Sequence, residues 1–180
     1  MPDFLFNSLG LKVTVKEVVQ EIISFMRADE NRQYKVTIGT DSQLLSGQRQ
    51  GNPGRASGTA RHENSREAGQ ADFVTAVVVH RIGNGGKYFW HRMPKEKMHT
   101  LRERIIKEVL ISVEIAKGVL GELKKFELPK FDFEIHIDVG ENGPTKQLIS
   151  DVVSIVRANN FEAKTKPESY AATNVADRHV

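Results

Sequence analysis

Three aspartates sit where carboxylates can act together: Asp41, Asp138 and Asp177. Asp41 closes an alternating run over residues 34–41, and Asp138 lies near the end of a second run over residues 131–139. Ligands of α/β sheets gather at the carboxyl ends of strands. Were these two strands parallel neighbours, Asp41 and Asp138 would stand side by side on one polar face. Carboxylates that close repel each other unless protons or cations intervene. Hard oxygen donors of this kind suit Mg²⁺ or Mn²⁺. Taken singly, an aspartate at a strand end serves equally well as a turn former or helix cap. Asp177 alone reads as solvated surface, and only the joint placement gives the set chemical meaning.

A fourth carboxylate is expected from the long helical segment 97–124. With Leu101 at zero and about 100° per residue, Ile105, Val109, Ser112, Ala116, Val119 and Leu123 form one stripe. Glu108 falls at its edge, whereas Glu103 and Glu114 point away. A glutamate turned toward the core needs a partner or a cation. The other reading of Glu108 is a snorkelling side chain beside Arg104, one turn earlier. Among the histidines, His136 shares the face of Asp138, and His179 follows Asp177 by two residues. A histidine beside a metal-bound phosphate can move protons. No H-E-x-x-H, no G-x-x-x-x-G-K-[ST] and no G-x-S-x-G occurs.

The elements that must position these groups follow from periodicity. Thr14 and Glu17 have capping-box spacing ahead of Val15, Val18, Val19, Ile22, Ile23 and Met26, so residues 14–29 are expected to be helical. In the first strand Tyr34, Val36, Ile38 and Thr40 share one face, and Lys35, Thr37, Gly39 and Asp41 the other. Residues 73–82 are apolar on both faces, as in a covered central strand. Gly83-Asn84-Gly85-Gly86 reads as a hairpin turn into a strand over 87–93. A helix is expected over about 144–158, a short strand over 161–166 and a closing helical turn over 173–180. Residues 46–71 hold five Gly, four Arg and one Pro but no Leu, Ile, Val, Met or Phe. Such a stretch cannot bury apolar area and is expected to be a mobile loop insertion.

The chain has 180 residues, enough for a single domain over 1–180. It contains no cysteine, which excludes disulfide scaffolds, thiolate metal sites and thiol nucleophiles. A net charge of +3 is too weak to establish a nucleic-acid partner by itself. No stretch has the length of a membrane span. The first residues show no basic segment followed by an apolar one, so a cytoplasmic protein is expected.

Five segments together carry a resemblance: Gly39-Thr40-Asp41-Ser42-Gln43, Phe73–Gly86, His136-Ile137-Asp138-Val139-Gly140, Asn142-Gly143-Pro144-Thr145, and Lys166-Pro167-Glu168-Ser169-Tyr170 through Ala176-Asp177-Arg178-His179. In this order they resemble the YkuK-type ribonuclease H-like proteins of bacteria, over nearly the whole chain outside 46–71. The resemblance implies a five-stranded mixed sheet, a three-strand meander plus two parallel strands, with helices on both faces and an extra N-terminal helix. It also implies two-metal hydrolysis of phosphodiesters in RNA, RNA–DNA hybrid or structured DNA, with Mg²⁺ or Mn²⁺ as cofactor. By position, Asp41, Glu108, Asp138 and Asp177 become the metal ligands. His179 or Lys166 assists the leaving group, and Ser42, Lys166 and Arg178 contact nucleic acid. Glu108 rests on its helical face more than on a motif. Arg49, Arg55, Arg61 and Arg66 either attract phosphate or keep the loop in solution. Fold alone does not establish activity. The alternative is a non-catalytic nucleic-acid-binding or regulatory domain. A nucleotide-binding phosphotransferase would need a second such domain.

Overall fold

The computed structural model describes residues 2–45, 69–142 and 145–180. Strands β1 (Phe4–Asn7) and β2 (Lys12–Thr14) form a hairpin, followed by helix α1 (Val15–Arg27). The turn between them uses the Asn7 side chain, whose Oδ1 accepts the amides of Leu9 and Leu11. Gly10, at φ 75°, takes the left-handed conformation that glycine adopts most freely. The capping box at Thr14 and Glu17 is formed: Glu17 N–H donates to Thr14 Oγ1, and the Thr14 amide donates to Glu17 Oε2 at 2.6 Å.

The meander follows as β3 (Tyr34–Leu45), β4 (Gly69–Arg81) and β5 (Gly86–Arg92), all antiparallel. β6 (Glu96–Met98) pairs with the start of β4. Helix α2 (Leu101–Leu123) then crosses back to β7 (Phe131–His136), which lies parallel to β3. A 3₁₀ turn at Lys146–Leu148 and helix α3 (Ile149–Ala158) lead to β8 (Glu162–Lys164), parallel to β7. The chain closes with a π-helical turn, Ala171–Ala176, and a 3₁₀ turn, Asp177–His179.

Among the described residues the sheet has eight strands, in the order β2-β1-β5-β4-β3-β7-β8 with β6 beside β4. The expected meander and parallel pair form its centre, while β1, β2 and β6 extend it. These three additions are short, and their sequences lack the alternation that betrays a strand. β6 takes residues that helical periodicity assigns to α2. The helix starts later because Thr100 Oγ1 accepts the Glu103 amide at 3.1 Å and caps it there. Likewise α3 starts at Ile149, with no side-chain cap on its preceding turn. Gly69–Ala71 belong to β4, so the expected loop is shorter at that end. The rest of the loop, with its four arginines, lies outside the described residues.

Helical cover is unequal on the two faces. One face carries Val36, Ile38, Phe73, Val77, Val79, Phe89 and Ile135 against all three α-helices, including Ile22, Met26, Ala116, Val119, Val152 and Val156. The other face carries Val74, Ala76 and Val78 under a smaller cover of Ala171, Val175 and Ala176 from the C-terminal turns. Among the described residues no helix is long and apolar enough to cross a membrane.

Candidate active site

The site lies where β7 stops and β3 continues. Parallel pairing ends at Gly39 opposite His136. Two residues further along each chain stand Asp41 and Asp138. Beyond this point β3 has an open edge, so groups from both faces of the sheet meet there. Asp41 belongs by alternation to the face of Val74, its partner on β4. Ser42 belongs to the helical face and touches α2.

Helix α2 is locked to β3 by hydroxyls. Thr40 Oγ1 lies 2.7 Å from Thr75 Oγ1 and 2.8 Å from Ser112 Oγ. Ser112 Oγ in turn donates to the carbonyl of Glu108 at 3.0 Å. This chain fixes the height of Glu108 beside Ser42, whose Oγ donates to Glu108 Oε1 at 2.5 Å. Arg104 adds a guanidinium: Nη1 donates to the Ser42 carbonyl at 2.8 Å and lies 3.5 Å from Glu108 Oε1. Glu108 is only 2% exposed, so it does not snorkel. Its Oε2 is buried without a hydrogen-bond partner. Burial pushes the Glu108 carboxyl up to about 8, with repulsion from Asp41 and Asp138 adding to it.

Asp41 Oδ1 accepts the Ser42 amide at 2.8 Å. Burial raises its carboxyl to about 6, helped by the negative charges of Asp138 and Asp177. Asp138 is held by Lys166, whose Nζ lies 3.0 Å from Oδ1. The Lys166 stem crosses Gly140 so closely that a Cβ there would sit 3.2 Å from Lys166 Cβ. Asp177 is exposed on the closing turn. Around one end of β3, Asp41 thus senses Asp138 and Asp177, and Glu108 senses Asp41 and Asp138.

The donors are all oxygen, the charges repel, and one buried carboxylate oxygen has no partner. That chemistry fits a hard divalent cation. As the side chains stand, no three His, Asp or Glu among the described residues form a group that holds a metal ion. Lys166 and Arg104 supply the positive charge instead.

Comparison with known proteins agrees with this architecture. The ribonuclease H-like family profile matches residues 63–180. The uncharacterized protein YkuK of Bacillus subtilis (strain 168) is 30% identical over 188 aligned positions, covering 97% of this chain and 96% of the relative. The chain belongs to the ribonuclease H-like family. No solved structure matches it significantly.

Within this ribonuclease H-like framework the remaining candidates fall in different places. Ser42 binds Glu108, and Lys166 binds Asp138. Arg178 is exposed on the last turn. His179 stacks on Trp90 of β5 with ring centroids 4.3 Å apart, two strands away from β3. Its own carbonyl accepts from Arg92. Burial, with the charges of Arg92 and Arg178, holds the His179 imidazole below its usual value. His136 faces inward with both ring nitrogens engaged.

Two groups escape the sequence reading. Arg104 appears there only as a neighbour of Glu108, although it also binds the Ser42 carbonyl. Asp72 lies on β4 opposite Gln43, diagonal to Asp41 on the same face. It is 4% exposed, its Oδ2 lies 3.5 Å from Arg92, and its Oδ1 has no partner. Its signal is the two-residue alternation with Val74, Ala76 and Val78. That alternation is visible only once the strand is extended back past Phe73.

Proposed function

We propose that this ribonuclease H-like domain hydrolyses phosphodiester bonds of nucleic acid, with Mg²⁺ or Mn²⁺ held by Asp41, Glu108, Asp138 and Asp177. The observation that carries this reading is the mutual repulsion of half-buried Asp41 and buried Glu108 with Asp138, beside an unpartnered Glu108 oxygen. Carboxylates so crowded hold protons in the absence of a cation and are ready to exchange them for one. When bound, the cation supplies Lewis acidity and lowers the pKa of water.

The residues of the chain do the rest. Ser42 orients Glu108 by hydrogen bonding one oxygen and leaving the other toward the site. Arg104 fixes Ser42 through its carbonyl, so the end of β3 stays rigid. Asp41, tethered by the Ser42 amide, presents its second oxygen. Lys166 releases Asp138 and offers its ammonium to a phosphate, and Arg178 extends the positive rim. Asp41, Glu108, Asp138 and Asp177 would hold the cation, and Lys166 would hold the phosphate once parted from Asp138.

The test is cleavage of single-stranded RNA, RNA–DNA hybrid and branched DNA in Mn²⁺ or Mg²⁺, by wild type and Asp41→Asn. Wild type should cleave at least one substrate, and the variant should lose about 10³-fold or more in rate with its fold intact. A wild type inert on all three, or a variant that cleaves equally well, ends this reading.

A second reading has its own observation: no three carboxylates among the described residues form a ready metal group, and Lys166 already neutralises Asp138. It casts the domain as a nucleic-acid-binding module without chemistry. Salt-dependent binding of the same substrates, unaffected by divalent cations and without cleavage, would favour it.

A further inference from the structure

Helix-sized apolar faces hold α1, α2 and α3, but the C-terminal turns have no such face. Their described apolar cover is mostly small, Ala171, Val175, Ala176 and Val180 over Val74, Ala76 and Val78, with Tyr170 at its start and Tyr88 and Trp90 of β5 alongside. Yet this segment carries Asp177 to the site. Something more specific than apolar burial must seat it.

At the start of the segment lies a buried polar relay. Lys35 Nζ on β3 sits 3.0 Å from Glu134 Oε1 on β7. Glu134 Oε2 lies 3.2 Å from His136 Nε2. His136 Nδ1, on the opposite side of the ring, accepts the backbone N–H of Ala171 at 3.1 Å. The imidazole is 2% exposed and meets the Tyr170 ring edge-to-face at 4.7 Å. Tyr170 Oη also lies within hydrogen-bond reach of Thr37 Oγ1, at 3.3 Å. A ring nitrogen that accepts a backbone N–H carries no proton, so the proton sits on Nε2 and is donated to Glu134. The relay therefore fixes both the tautomer and the tilt of the ring. At the far end of the segment, Arg92 donates to the His179 carbonyl while the His179 ring stacks on Trp90.

We propose that His136 is a positioning residue, whose Nδ1 docks the Ala171 amide and so seats the C-terminal turns that present Asp177 to the carboxylate site. This inference rests on the proposed function for its catalytic consequence, but the docking itself can be read without activity. It gives His136 a role that a proton shuttle could not share, since neither nitrogen is free. It also gives a use to a histidine buried beside Glu134 on this face of β7.

The test uses the full chain labelled with ¹⁵N. Long-range ¹H–¹⁵N spectra should show His136 as the Nε2–H tautomer, and the Ala171 amide should exchange slowly with solvent. A Nδ1–H tautomer, or an Ala171 amide exchanging at the unprotected rate, overturns the proposal with no variant needed. His136→Leu should speed Ala171 exchange by about 100-fold or more while amides of α1 and α2 stay protected. His136→Asn, which keeps an acceptor near the Nδ1 position, should restore most of that protection. In Mn²⁺, the Asp177 amide signal should broaden in wild type and in His136→Asn but not in His136→Leu. With an active wild type, His136→Leu should lower kcat by about 10²-fold and change KM little. Equal kcat and equal Mn²⁺ broadening in His136→Leu would overturn the positioning role. An inert wild type with a docked, protected Ala171 would instead remove the proposed reaction and leave the docking standing.

Discussion

The two faces of the sheet are built from different chemistry. The face under the α-helices is mostly large apolar side chains, from Leu5 through Val36, Ile38 and Val77 to Ile135, with buried hydroxyls of Thr40, Ser42 and Thr75 confined to the end near α2 residues Glu108 and Ser112. The face under the C-terminal turns alternates small apolar residues with Thr37, Gly39, Asp41, Asp72 and His136. Burial of large aliphatic groups stabilises the first. The second buries charge and hydroxyl groups, met by hydrogen bonds and by the ion pairs of Lys35 with Glu134 and Arg92 with Asp72, while Asp72 Oδ1 stays unpartnered. The difference teaches that stability and chemistry are separated across one layer of backbone. They touch only at the open edge of β3, where Glu108 reaches in from the helical side.

This comparison breaks most sharply under core truncation. Ile22 is fully buried between α1 and the sheet. Ile22→Ala should cost about 2–5 kcal/mol, since it removes three buried carbons and leaves a cavity. Val78→Ala, on the smaller cluster, should cost about 1–2 kcal/mol. Urea denaturation of both variants measures the pair. Equal losses would mean that the C-terminal turns carry as much packing energy as the helices, and the contrast between faces would fail.

Titration separates the faces differently. In the unfolded chain Glu108 loses its proton near 4.5, whereas in the fold it keeps the proton until about 8. Between those values the folded state binds more protons, so stability falls as pH rises. The contribution is complete below the lower value and gone above the upper one. Asp41 adds the same sign over a narrower window, from 3.8 to about 6. Glu134, on the same face, has the opposite sign. Burial raises its carboxyl, but hydrogen bonds from Lys35 and His136 outweigh burial and lower it. Glu108→Gln should flatten the loss of stability above pH 6 and leave the part due to Asp41. Parallel stability–pH curves for wild type and variant, without added divalent cation, would show that Glu108 is not the buried acid that the geometry makes it.

Much of this was legible in the sequence where periodicity is strong. The faces of β3 and β7 follow from alternation and appear in the structure. The parallel pairing of these strands was an expectation of the right-handed crossover, and the inward turn of Glu108 was one of two readings of its helical position, and the structure has both. β1, β2 and β6 were not legible, because three or four residues carry too little pattern to distinguish a strand from a turn. Asp72 was hidden by the boundary between a low-complexity segment and an apolar run. The place of His179 was hidden for another reason. Its distance from Asp177 along the chain is two residues, but the direction of its side chain depends on Trp90, far away in sequence. The catalytic role proposed for the carboxylate set came from family resemblance, since spacing alone left each aspartate with an ordinary structural use.

The smallest effect sharpens the comparison from the site side. Lys166 is about half exposed, and its pair with Asp138 is partly solvated. An ion pair of that kind contributes about 0–1 kcal/mol, because side-chain entropy and water offset most of the attraction. Lys166→Met should therefore leave urea stability within about 1 kcal/mol of wild type, with the small remainder vanishing in high salt. A loss as large as that expected for Ile22→Ala would show that this pair is a structural pin. A small loss means Asp138 is held loosely enough to change partner. That is the property a carboxylate must have if its resting cation is to give way to another.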